Sequence, residues 1–102
     1  MTTRALAEFV AKLRFEDLPE PVVRQACRLV LDAVGCAASA WSEDPEKARI
    51  AREIAAMYPA APGAGVIGVP AGGAQPAFAA LANGILVNAA DNDDTHKRAL
   101  LH

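Results

Sequence analysis

Apolar residues recur at helical spacing through most of this chain. Leu6, Phe9, Val10 and Leu13 fall three or four residues apart behind Thr2 or Thr3, a candidate N-cap, and predict an amphipathic helix over about 3–13. Phe15-Glu16-Asp17-Leu18-Pro19 interrupts the pattern, and Pro21 suits the first turn of a second helix over about 21–40. In that helix Val22, Val23, Ala26, Leu29, Val30, Ala33, Val34 and Ala37 make a wide apolar stripe, with Arg24, Gln25, Arg28 and Asp32 on the opposite face. Its end narrows through Gly35-Cys36-Ala37-Ala38-Ser39. A glycine inside a helix costs on the order of 1 kcal/mol against alanine, so the narrowing points to close packing of another helix.

Ser42-Glu43-Asp44-Pro45-Glu46 carries capping chemistry, and a third helix follows over Pro45–Met57, charged along one side through Lys47, Arg49, Arg52 and Glu53. Tyr58-Pro59 stops it. After the loop Ala60–Gly65, the β-branched content of Val66-Ile67-Gly68-Val69 predicts a short extended segment near 66–69. Gly72-Gly73 lacks the Gly-Lys-Ser/Thr of a phosphate loop and reads as a turn into a fourth helix over about 74–90, with Pro76 in its first turn and Phe78, Leu81, Ile85 and Val87 burying it. The pattern is that of an all-α domain of about four helices.

Composition sharpens this. The 102 residues allow one domain. Apolar residues make up 53 % of it and aromatic ones only 5 %, so alanine supplies much of the core; alanine buries little area, which favours tightly packed helices that need a partner. A net charge of −2 with no basic cluster leaves no footprint for nucleic acid. No apolar run reaches the ~18 residues of a membrane span, and Glu8, Lys12 and Arg14 interrupt any signal-peptide core, so the expected location is cytoplasmic. Cys27 and Cys36 fall on opposite faces of one predicted helix and cannot pair; they read as small buried apolar groups, with no zinc or iron–sulfur spacing around them.

The chemistry concentrates where the fourth helix ends, at Asp91-Asn92-Asp93-Asp94-Thr95-His96, followed by His102. Carboxylates just past a helix C-terminus meet its partial negative charge, which is unfavourable unless something offsets it. One explanation is a cap: Asp93 or Asp94 starts a further helical turn containing Lys97 and Arg98. A second is a metal site of carboxylate and imidazole ligands, although the calcium-loop register is missing. The third is acid–base catalysis, since crowded carboxylates raise one another's pKa and hold a neighbouring imidazole protonated.

Ala80-Leu81-Ala82-Asn83-Gly84 leading into Asp91-x-Asp93-Asp94-Thr95-His96 and His102 resembles the signature of the MmgE/PrpD family. Leu6-Ala7-Glu8-Phe9-Val10, Phe15-Glu16-Asp17-Leu18-Pro19 and Leu29-Val30-Leu31-Asp32-Ala33-Val34-Gly35-Cys36 resemble its opening helices in the same order. The resemblance implies an enzyme of the 2-methylcitrate dehydratase or cis-aconitate decarboxylase kind, needing no cofactor and no metal, acting on a small polycarboxylate, and usually dimeric. By motif position it implies Asp91, Thr95 and His102 as catalytic residues. His96, Asn88 and Lys97 become the candidates for substrate contact.

This chain departs from the family pattern in having Asn88 where many relatives have a histidine and Asn92 where they have an aromatic residue. Asparagine hydrogen-bonds but does not exchange a proton at neutral pH. Relatives are also much longer. The resemblance therefore implies residues 1–102 as a partial helical domain, truncated at the active-site motif, with the rest of that domain and an α+β domain absent. Two readings follow: the N-terminal part of a lyase, inactive in isolation, or a non-catalytic module that associates with a complementary C-terminal polypeptide or as a homodimer.

Overall fold

The computed structural model describes residues 2–70 and 72–91. Thr2 opens the first helix, α1 (Thr3–Lys12), its hydroxyl accepting from the Ala5 amide at 3.4 Å. A 3-10 turn, Phe15–Asp17, leads into α2 (Glu20–Glu43), which begins between Pro19 and Pro21 and runs about 36 Å. Asp44 then serves two helices at once. Its amide closes α2 onto the Ala40 carbonyl at 3.0 Å, and its carboxylate caps α3 (Pro45–Met57) by accepting from the Lys47 amide at 3.0 Å. Helix α4 (Pro76–Val87) starts with Pro76 in its first turn. Among the described residues the four-helix, mostly α architecture is thus present, with α2 three residues longer at its end than the pattern predicts.

The extended segment expected at 66–69 is not a strand. Val66–Val69 is a hydrogen-bonded turn, Val69 N to Val66 O at 3.0 Å, with Gly68 at φ 78° in the third position, where a type II turn requires a positive φ. The extended pairing lies elsewhere: β1 (Pro59–Ala60) runs antiparallel to β2 (Gly73–Ala74), and Ala64 bridges to Ala74. The backbones at Gly63 and Gly73 approach so closely that a Cβ at Gly63 would lie 2.5 Å from Gly73. Hence Gly73 opens β2 as well as leading towards α4.

Where alanines face each other, the helices pack. Ala37 and Ala40 of α2, Ala48 and Ala51 of α3, and Ala79, Ala82 and Leu86 of α4 are all buried, together with Val66, Ala74 and Ala89. Among the described residues Leu86 is the largest side chain sealed completely. Small side chains bring the helix axes close, so dispersion between backbones replaces the area that larger residues would bury. Tyr58, at the end of α3, stacks on Phe78 of α4 with ring centroids 3.6 Å apart.

This core takes only the last turns of α2. No comparable packing joins α1 to another described element, and Phe9, Phe15, Val30 and Leu31 stand 59–72 % exposed. The radius of gyration, 16.3 Å, exceeds the roughly 13 Å of a compact chain this long because that arm projects from the rest. The cysteines follow from the same geometry: Cys27 is exposed and Cys36 half-buried, against the expectation that both are buried, because the stripe that carries Cys27 is uncovered. Among the described residues no helix is long and apolar enough to cross a membrane.

Candidate functional site

The candidate site is built on the exit from α4. Ala79, Ala82 and Leu86 press this helix into the alanine core and fix its axis. Asn83, next to that buried line, clamps the preceding loop: its Oδ1 accepts from the Ile67 amide at 2.8 Å, and its Nδ2 donates to the Gly65 carbonyl at 3.0 Å. The motif asparagine thus ties α4 to residues 65–67, and the loop in turn is held by Trp41 of α2. The Trp41 indole N–H donates to the Ile67 carbonyl at 3.0 Å while the Arg52 guanidinium lies 5.0 Å over the ring.

α4 ends three residues earlier than the sequence predicts, at Val87 rather than Ala90. Asn88 is its C-cap, with its amide bonded to the Gly84 carbonyl at 3.1 Å. Ala89 follows with its amide on the Leu86 carbonyl at 3.3 Å, and the Asp91 amide closes a turn onto Asn88 O at 3.1 Å. Asp91 adopts φ 54°, the left-handed region in which Asp and Asn are the better tolerated residues after glycine. The polypeptide therefore leaves α4 through a sharp turn that presents Asp91, exposed, at the surface.

Of the six sequence-derived candidates, Asn88 and Asp91 come together within this one turn. Thr95, His96, Lys97 and His102 lie outside the described residues. Among the described residues no three His, Cys, Asp or Glu side chains gather as metal ligands, a statement that reaches only Asp91 of the motif.

One residue at this exit escaped the sequence reading, which assigned Lys47 to the charged side of α3. The Lys47 ammonium donates to the Ala89 carbonyl at 2.6 Å and pairs with Asp44 Oδ2 at 3.1 Å. The Asp44 carboxyl is held below its ordinary range, first by the Lys47 backbone N–H and then by the Lys47 ammonium. Asp44 and Lys47, three residues apart at a helix start, are legible as a local pair. The contact across 42 residues to Ala89 has no sequence signal.

The described residues form an alanine-packed helical unit whose helix α4 leads into a turn that presents Asp91. The model of the MmgE/PrpD N-terminal domain matches residues 4–102, and the chain belongs to that family. No curated protein and no solved structure matches it.

Proposed function

We propose that this chain forms the N-terminal part of a lyase that acts on a small di- or tricarboxylate by acid–base proton transfer. The observation that carries the reading is the family match, which extends through Asp91, Thr95 and His102. In this reading a proton is removed from, or returned to, the carbon beside a substrate carboxylate as water or carbon dioxide leaves. His102 is the general acid or base, Asp91 orients it or acts as base, and Thr95 donates to a substrate carboxylate. His96, Asn88 and Lys97 contact the substrate's remaining oxygens.

A polycarboxylate calls for several cationic donors. At the described exit from α4 the cation is Lys47, already bonded to Ala89 and Asp44. Beyond His96 and Lys97, catalysis in this reading draws on donors from further polypeptide, in the same chain or a complementary one, and residues 1–102 alone are expected to be inactive. The test is turnover of 2-methylcitrate (loss of water) and of cis-aconitate (release of carbon dioxide), with and without added complementary polypeptide. Asp91→Asn and His102→Ala are each expected to lower kcat by at least about a hundredfold, the usual share of a general acid or base. Full activity in either variant would remove that residue from the mechanism.

A second reading, a non-catalytic helical module that binds a complementary chain or a second copy, is favoured by one observation. Leu6, Phe9, Phe15, Val22, Val30 and Leu31 are exposed along α1, the 3-10 turn and α2. Apolar patches of this kind mark interaction surfaces.

A further inference from the structure

Carboxylates that follow a helix C-terminus need a nearby cation, and three of them, Asp91, Asp93 and Asp94, follow α4 in sequence. Lys47 supplies one from a different helix. Its ammonium sits 2.6 Å from the Ala89 carbonyl, one of the last carbonyls of α4 and its following turn, which have no partner further along the helix. Asp44 Oδ2 pairs with the same ammonium at 3.1 Å. Ala89 is only 8 % exposed, so the carbonyl is anchored to the core, and two residues later Asp91 takes its left-handed φ.

We propose that Lys47 is a positioning residue of the acidic motif: by holding the Ala89 carbonyl it fixes the turn from Asn88 to Asp91 and thereby sets where the Asp91 carboxylate leaves α4. The proposal rests on the reading of Asp91 as a site residue. Lys47 acts through Ala89 and touches no reacting atom. Its positive charge also offsets the helix terminus against the carboxylates that follow.

The test uses amide hydrogen exchange by NMR on the 102-residue chain carrying Lys47→Met, which keeps most of the stem length and removes the charge, and Lys47→Arg. Lys47→Met is expected to reduce protection of the Asn88, Ala89 and Asp91 amides by about tenfold, the factor that corresponds to one net hydrogen bond. Core amides such as Ala82 and Leu86 change less than twofold, and Lys47→Arg restores the turn. Unchanged protection at Ala89 and Asp91, or an equal loss throughout the chain, would overturn the proposal. The unmutated chain gives an independent reading: the Lys47 ammonium protons should exchange with water more slowly than those of exposed Lys12, and equal rates would also overturn it. An Asp91→Asn enzyme with full activity would sink the catalytic reading and leave these exchange results unaltered, so the two failures are distinct.

Discussion

The Asn83 side chain holds the Ile67 amide at 2.8 Å across sixteen residues of chain and, with its other end, the Gly65 carbonyl at 3.0 Å. It is a two-ended clamp from α4 onto a loop with little regular structure. Asn83→Ala leaves the half-buried Ile67 amide without its partner, while the exposed Gly65 carbonyl turns to water, which together costs about 1–2 kcal/mol. Urea unfolding is expected to show that loss with an unchanged m-value. Asn83→Asp keeps the acceptor for Ile67 but sets an oxygen against the Gly65 carbonyl, so it rescues only part of the loss. An Asn83→Ala chain of unaltered stability would mean that the clamp is marginal in solution.

Gly68 lies against the Trp41 ring. A Cβ there would come within 2.1 Å of the indole nitrogen, and φ 78° is itself unfavourable for any residue with a side chain. Gly68→Ala is expected to push the ring away and break the Trp41 bond to the Ile67 carbonyl. Trp41 is the single tryptophan, so its fluorescence reports this directly. The emission should shift to the red, with a stability loss of about 1–3 kcal/mol from strain and the broken bond. Unshifted emission would show that the indole stays in place.

The Asp44 carboxyl has a lowered pKa, so its contribution to stability is present above the unfolded carboxyl value of about 3.9 and is lost as pH falls through the lower folded value. Asp44→Asn preserves the N-cap, since Asn caps as well as Asp, and removes the charge. The unmutated chain is therefore expected to be the more stable of the two at about pH 7 and pH 5, with a narrower gap at about pH 3, below the unfolded carboxyl value. Urea midpoints at the three pH values decide it. A gap independent of pH would assign the effect to the cap alone.

Local chemistry made the helix starts legible. Thr2, Asp44-Pro45 and Pro76 each act where the sequence places them, because capping and proline geometry depend on a few adjacent residues. Val66-Ile67-Gly68-Val69 misled for the opposite reason. Its β-branched residues favour extension, but Asn83 claims the Ile67 amide, Trp41 claims its carbonyl, and Gly68 turns the backbone under the indole ring. Pro59–Ala60 and Gly73–Ala74 pair despite poor strand propensity, since backbone approach at Gly63 and Gly73 sets the register. At the site, Asn88 and Asp91 were readable as motif residues. Lys47 was not, because its role depends on a contact between α3 and the end of α4.

The uncovered arm makes the last prediction. Phe15 and Val30 are 68 % and 65 % exposed and line one apolar groove with Leu18, Val22, Val23 and Cys27, well away from the alanine core. Burying a side chain of this size in an interface is worth about 1.5–3 kcal/mol, so two together govern whether the groove attracts another apolar surface. The pair Phe15→Ser and Val30→Lys is expected to reduce any concentration-dependent association seen by sedimentation. Because neither residue packs in the core, the unfolding midpoint of the monomer should move by no more than about 4 °C, as expected for surface changes within ±0.5 kcal/mol. Association that persists in the double variant would place the contact on another face. A large fall in the midpoint would instead show that α1 and the start of α2 carry stability in solution through contacts with the rest of the chain.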